Sequence, residues 1–76
     1  MKQLVAHIAE ALVDNPDQIK VTETENGDTI NIELTVAQED LGKVIGKQGR
    51  TARAMRSILS ASAARDNKKS RLDILE

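Results

Sequence analysis

The sequence predicts an α+β fold, with elements in the order helix, strand, strand, helix, helix, strand and with the helices packed on one face of a three-stranded sheet. The first observation behind this prediction is that the spacing of apolar residues changes along the chain, from three or four to two and back. The second is a Gly-containing interruption at 25–28 and another at 46–49. The length of 76 residues suits a single domain spanning 1–76.

The N-terminal half contributes the first helix and a hairpin. Residues 2–13 place apolar side chains three and four apart, which predicts an amphipathic helix that ends before Pro16. Residues 19–21 alternate as a strand, and the Asn-Gly pair in 25–28 predicts a type I′ turn. Residues 30–36 alternate cleanly, so Ile32 and Leu34 are expected in the core.

The C-terminal half is predicted to hold two helices and a last strand. A short helix is expected over 37–44, and a longer one from Arg50 to about Arg65 contains neither Gly nor Pro. A loop at 66–69 precedes a short strand in which Leu72 and Ile74 alternate with polar residues. No Phe, Tyr or Trp occurs in the chain, so the core must be aliphatic and no aromatic ring can stack on a base.

Charge is distributed unevenly along the chain. The formal net charge is only −1, but residues 1–40 carry two basic and nine acidic side chains, whereas residues 41–76 carry nine basic and three acidic ones. No acidic residue lies between Leu41 and Arg65. This asymmetry predicts a local anion-binding face on a protein that is otherwise acidic.

The run Gly46-Lys47-Gln48-Gly49 lies between the two predicted C-terminal helices. Two glycines allow a sharp turn and close approach of another chain, and the N-terminus of the next helix favours an anion. Arg50 and Arg53 point away from the apolar face of that helix, and Lys43 lies one turn before the loop. These residues predict a site for a nucleic-acid backbone.

Other site chemistries fit the sequence poorly. A P-loop is excluded because three residues, not four, separate Gly42 from Gly46, and because Gln48 stands where Ser or Thr is needed. His7 is the only histidine, and no serine has a base nearby in the sequence. We therefore expect no enzyme, no metal, no cofactor and no small-molecule substrate.

The segment Leu41–Thr51 closely resembles the helix–loop–helix signature of KH domains, and the order of elements resembles their type II (prokaryotic) form. Leu12–Asp17 and Glu39–Gly46 look like the small stand-alone bacterial proteins of the KhpA (YlqC) group. The resemblance covers nearly the whole chain. No apolar stretch approaches the length of a membrane span and the first residues lack a signal-peptide pattern, so we expect a cytoplasmic protein without membrane association.

The resemblance also implies roles for individual residues. The Gly-x-x-Gly loop of KH domains clamps about four nucleotides of a single strand. This chain would use Gly46, Lys47, Gln48 and Gly49 for the clamp, Val44 and Ile45 as the apolar side of the groove, and Arg50 and Arg53 as contacts to phosphate or base edges. Lys43, one turn before the loop, would extend the basic patch. Implied cellular roles are RNA chaperoning or post-transcriptional regulation, partnership with KhpB (Jag), and a link to cell-wall homeostasis and cell length.

A strip on the second long helix suggests self-association. Ile58 lies about 100° from the centre of the core face, with Ala54 and Ala61 beside it. We expect a homodimer through this strip, because two linked loops would gain avidity. The function predicted overall is binding of single-stranded RNA, and the alternative function is that of a protein-interaction adaptor that heterodimerises with a second KH protein and has little RNA affinity alone.

Overall fold

A computed structural model describes residues 1–75, and its helices and strands follow one another in the predicted order. Single 3-10 turns precede β1, α2 and α3. The elements are α1 (Lys2–Leu12), β1 (Lys20–Asn26), β2 (Thr29–Thr35), α2 (Leu41–Ile45), α3 (Arg50–Ala64) and β3 (Lys69–Leu75). The short helix expected over 37–44 is thus divided, with a 3-10 turn over Gln38–Asp40 and an α-helical part that starts only at Leu41.

The three strands form one sheet in the order β1-β2-β3. β1 and β2 are antiparallel neighbours, as a tight hairpin requires, whereas β2 and β3 are parallel. Parallel neighbours cannot be joined by a tight turn, so the chain must cross over, and α2 and α3 form that crossover. The loop between α2 and α3 consequently lies outside the sheet, close to β3.

The hairpin turn differs from the predicted type. Asn26 pairs with Thr29, so the two loop residues are Gly27 and Asp28. Gly27 has a φ of 60°, while Asp28 is not among the residues of positive φ. A positive φ at the first position alone is the pattern of a type II′ turn, so the type I′ prediction was wrong.

The core lies between one face of the sheet and the helices. Ile32 and Leu34 of β2 are completely buried, which confirms their prediction as core residues. They pack with Val5 and Ala9 of α1 and with Met55, Leu59 and Ala63 of α3. The other face of the sheet is polar and exposed or half-buried, so all helices that pack on the described sheet do so on one face. No helix in the described part of the chain is long and apolar enough to cross a membrane.

Candidate nucleic-acid interface

The loop between α2 and α3 turns through three residues of positive φ. Gly46 has φ 78° and ψ 170°, Gln48 has φ 58° and ψ 25°, and Gly49 has φ 73° and ψ 14°. The Gly46 N–H donates to the Gly42 carbonyl at 2.9 Å, and the Gly49 N–H donates to the Gly46 carbonyl at 3.0 Å. The backbone itself therefore sets the shape of the loop.

Gly46 is required by the fold. A Cβ at this position would lie 2.2 Å from the Thr51 Oγ1 and 2.9 Å from the Thr51 backbone nitrogen. Its φ and ψ also fall in a region that is essentially restricted to glycine. The first glycine of the loop therefore lets the start of α3 pack closely against the end of α2.

Gly49 has a different environment. It immediately precedes α3 in the left-handed region, and beyond its two chain neighbours a Cβ there would meet no atom within 4 Å. Packing within the chain thus does not require glycine at this position. A glycine with open space beside it leaves the backbone accessible to a ligand.

Positive charge surrounds this accessible backbone. No side chain caps the N-terminus of α3, and Lys47, Arg50 and Arg53 are all exposed. The Arg50 guanidinium donates to the Gln48 Oε1 at 3.1 Å. Within residues 1–75, none of these three cations forms an ion pair with a carboxylate. The helix N-terminus and the free cations together favour an anion such as phosphate.

A groove of about 370 Å³ lies beside the loop, between α3 and β3. Its walls combine apolar side chains with two guanidinium groups, contributed by Ile45, Gly49, Ala52, Arg53, Arg56 and Ile74. Three of these, Ile45, Gly49 and Arg53, were predicted site residues. The other three, Ala52, Arg56 and Ile74, were missed, although Arg56 follows Arg53 by one helical turn and Ile74 alternates with polar residues in β3.

Two predicted site residues lie elsewhere. Val44 is completely buried in the core, so its side chain cannot line the groove as expected. Its neighbour Ile45 is 36% exposed and lines the groove. Lys43 does not extend the basic patch, because its ammonium group pairs with Asp14 and lies 3.5 Å from the Asp40 Oδ1. The physical reasons differ, since Val44 faces the core, whereas Lys43 is exposed and is neutralised by the acidic side chains beside it.

Asp40, at the start of α2, is the buried centre of a polar cluster that the sequence did not reveal. Its side chain is completely buried, which is rare for a carboxylate. Its carboxylate accepts from the Asp14 N–H at 3.2 Å, from the Asn15 N–H at 3.0 Å and from the Asn15 Nδ2 at 3.0 Å. We call Asp14, Asn15, Asp40 and Lys43 the anchor, since they join the end of α1 to the start of α2.

Hydrogen bonding determines the protonation of the anchor. Burial alone would raise the pKa of Asp40, but the hydrogen bonds from Asn15 and Asp14 and the charge of Lys43 outweigh it, so the pKa lies below its ordinary value. The hydrogen bond to Asp14 raises the pKa of Lys43. Both groups are therefore charged at neutral pH, and α2 is held by an ionic cluster at the end remote from the loop.

The strip predicted for self-association is exposed on α3. Ile58 is 47% exposed, and Ala54 and Ala61 are exposed beside it. Their neighbours in sequence at 55 and 59 are buried, as the helical periodicity predicts.

Comparisons with known proteins agree with this architecture. The sequence model described as "KhpA/KhpB, KH domain" matches residues 2–74. "RNA-binding protein KhpA" of Halalkalibacterium halodurans is 54% identical over 76 residues, which are 100% of both chains. The protein of the same name from Clostridium acetobutylicum is 49% identical over 75 residues, which are 99% of this chain and 100% of that protein. The one from Chlamydia trachomatis is 47% identical over 76 residues, which are 100% of this chain and 97% of that protein. No solved structure gives a significant match. These matches over almost the full chain confirm the resemblance seen in the loop: the chain belongs to the KhpA/KhpB family of KH-domain proteins.

Proposed function

We propose that this protein binds single-stranded RNA through the Gly46–Gly49 loop and the adjoining groove. The observation that carries the proposal is the open left-handed Gly49 beside cations without an ionic partner in the described chain. The names of its relatives support the same ligand, since they are called RNA-binding proteins.

The arrangement assigns different parts of the RNA to different parts of the site. Phosphates meet the N-terminus of α3 together with Lys47 and Arg50, where backbone N–H groups and full charges act on the same anion. Bases lie against Ile45 and the backbone near Gly49, in the groove whose far wall is Ile74. The absence of a Cβ at Gly49 allows the sugar-phosphate chain to come close to the helix.

Weak, reversible binding is the expected consequence. Two or three exposed cations neutralise few phosphates, so a single domain gains little electrostatic affinity. Such binding suits an RNA chaperone or post-transcriptional regulator in the cytoplasm that contacts many transcripts briefly. Effects on cell length or the cell wall would then follow from the transcripts that it regulates.

The test compares Gly49→Asp with the matched control Gly49→Asn in a fluorescence anisotropy titration with short single-stranded RNA. Asp and Asn have nearly the same shape, and both tolerate a left-handed backbone better than most residues, but only Asp puts a negative charge where phosphate must lie. We expect Gly49→Asp to weaken binding at least about 30-fold and Gly49→Asn to weaken it by much less. Equal binding by wild type and Gly49→Asp would refute this site.

A second function, protein interaction, is favoured by the exposed strip of Ala54, Ile58 and Ala61. We propose that this strip joins two copies of the chain or pairs the chain with a KhpB protein. Two loops held together would bind one RNA with an avidity that a single loop lacks. A chain that acts mainly as an adaptor would crosslink to RNA only in the presence of its partner.

Sedimentation velocity at high micromolar concentration tests the strip. Ile58→Asp should shift the wild-type dimer to monomer, whereas Ser57→Asp, the same charge on the neighbouring exposed position, should leave the dimer intact. A monomer for wild type and both variants would refute self-association through α3.

A further inference from the structure

β1 forms the edge of the sheet that lies away from β3, because the strand order is β1-β2-β3. It pairs with β2 without interruption from Lys20 to Asn26, so it contains no bulge. Neither proline nor glycine occurs in it, and six of its seven residues are exposed. β1 therefore lacks the bulge and the proline that commonly protect an edge strand against the addition of another strand.

The alternation of backbone groups shows which residues of β1 are open. Asn26 and Thr29 flank the two-residue turn, and residues in that position exchange hydrogen bonds with each other. Alternation along the strand then directs the N–H and C=O groups of Val21, Glu23 and Glu25 away from β2. Within residues 1–75, none of these groups forms a hydrogen bond with the backbone of another element. The edge thus presents a row of unpaired donors and acceptors.

The opposite edge of the described sheet differs from β1 in this respect. There the Leu72 carbonyl of β3 accepts from the Arg56 Nε at 3.4 Å and from the Arg56 Nη2 at 3.2 Å. A strand adding to β3 would need that carbonyl as an acceptor. β1 is therefore the edge on which a strand can add without displacing a hydrogen bond.

The charges of β1 determine which kind of strand fits. The side chains of Glu23 and Glu25 are two residues apart and lie on the same face of the strand. Glu23 Oε1 accepts from the Lys2 N–H at 3.0 Å, and Glu25 Oε2 accepts from the Lys68 Nζ at 2.9 Å. The other oxygen of each carboxylate accepts no hydrogen bond within residues 1–75. A strand with a basic side chain opposite each glutamate would contact both of these oxygens.

A second copy of β1 fits this edge poorly. In each antiparallel register that pairs at least two of the open residues, a glutamate lies opposite another glutamate or opposite the apolar Val21. Pairing centred on Glu23, for example, places that carboxylate opposite itself. Like charges directly opposite each other destabilise a sheet, so the edge favours a basic strand over its own copy.

We propose that the outer edge of β1 is a docking site for an extended segment of a partner protein, which adds as an antiparallel strand with basic side chains opposite Glu23 and Glu25. Hydrogen bonds to the main chain supply the affinity, and the two carboxylates select the segment. The site is separate from the loop groove, because β2 lies between β1 and the strand that contributes Ile74 to the groove. The proposal therefore does not depend on the RNA site.

The first experiment titrates the wild-type protein, without RNA, with a capped fluorescent peptide in which lysine and threonine alternate. In the added strand, the backbone N–H of each lysine points toward β1 and that of each threonine points away. N-methylation of the lysine nitrogens should weaken binding at least about tenfold in fluorescence anisotropy, because donors to β1 are lost. N-methylation of the threonine nitrogens is the matched control and should leave binding unchanged.

Replacing the two carboxylates tests the selection by charge. Glu23→Gln/Glu25→Gln should weaken peptide binding about fivefold, since both opposing charges are removed. The control Glu10→Gln/Asp17→Asn removes the same charge from exposed residues elsewhere and should change binding by about twofold or less. Glutamine keeps a side-chain oxygen at each position, so acceptors for the hydrogen bonds within the chain remain.

Hydrogen exchange measured by NMR locates the peptide. In the free protein the N–H groups of Val21, Glu23 and Glu25 should exchange quickly, while those of Thr22 and Thr24, which face β2, should be protected. Saturating peptide should slow exchange at the three open positions at least about tenfold. The proposal is overturned if these positions are already protected in the free protein, or if the peptide leaves their exchange unchanged. It is equally overturned if the two N-methylated peptides bind alike, or if the glutamine double variant binds as its control does.

Discussion

The two ends of α2 differ in whether their charged side chains are paired within the protein. At its start, the anchor buries the Asp40 carboxylate among three N–H donors and pairs Lys43 with acidic side chains. At its end, the loop leaves Lys47 exposed and, within residues 1–75, without an ion-pair partner. The five-residue helix α2 thus links a cluster whose charges are paired within the protein to a loop whose lysine has no ion-pair partner in the described chain.

This difference shows how a small domain holds a binding loop in place. A helix as short as α2 is not stable in isolation, so tertiary contacts must hold it. The anchor and the buried Val44 provide those contacts. Of the two loop glycines, only Gly46 is then required for packing. Cations without an internal partner remain available to an external anion.

The largest expected effect is a difference in stability between alanine substitutions at the two glycines of the loop. Gly46→Ala should lower the free energy of unfolding by about 3 kcal/mol or more, because the new Cβ meets Thr51 and the backbone is unfavourable for alanine. Gly49→Ala, its matched control, should lower the free energy of unfolding by only about 1 kcal/mol, because the alanine would be left-handed but would have open space around its Cβ. Urea denaturation measures both values. Equal losses at the two positions would show that the glycines have the same role.

Removing the charge of Asp40 should destabilise the fold almost as much as Gly46→Ala does. Asp40→Asn preserves the shape but turns an amide N–H₂ toward backbone donors, so the melting temperature should fall by about 10 °C. Asp17→Asn, the same change on an exposed residue of the neighbouring turn, should alter it by about 2 °C or less. Differential scanning calorimetry gives both values, and similar melting temperatures for the two variants would contradict the structural role of the anchor.

Replacing one lysine at each end of α2 should separate binding from stability. Lys47→Ala should weaken RNA binding about fivefold and reduce the salt slope by about 0.7, because an exposed cation near phosphate is lost. Lys43→Ala should leave the salt slope unchanged and lower the melting temperature instead, since Lys43 pairs within the anchor. Titrations at several salt concentrations measure the slopes. A reduced slope for Lys43→Ala would place that lysine on the RNA after all.

The smallest effect is the dependence of stability on pH. Because the pKa of Asp40 is lower in the folded chain than its ordinary value of 3.8, the carboxylate stabilises the fold fully above that value and loses its contribution as pH falls through the folded pKa. The difference in melting temperature between wild type and Asp40→Asn should be greatest near pH 6 and shrink below about pH 4. A difference that persists unchanged at pH 3 would mean that folding does not lower the pKa of Asp40.

Local patterns were sufficient to predict the order of elements and the loop. Alternation in β2 and the 3.6-residue period of α3 depend on neighbouring residues, so Ile32, Leu34 and Ile58 could be placed from sequence. The turn of the hairpin was misjudged because the register shifted the loop by one residue, to Gly27 and Asp28.

Long-range contacts explain what the sequence did not reveal. The burial of Asp40 depends on donors about 25 residues earlier in the chain. The groove needs the parallel pairing of β3 with β2, which brings Ile74 opposite Arg56. Val44 was assigned to the site from the family resemblance and Lys43 from its position one turn before the loop, but Val44 is buried in the core and Lys43 pairs with Asp14 and Asp40.

A salt-dependent titration of the wild-type protein with a short single-stranded RNA pool tests the central claim most directly. If Lys47, Arg50 and Arg53 meet the phosphates, log K should fall linearly with log salt, with a slope between about −1.4 and −2.1 for two or three contacts. Gly49→Asp should abolish that binding at every salt concentration. RNA binding with a slope near zero, or binding that survives Gly49→Asp unchanged, would contradict the claim that the open end of α2 is the RNA site.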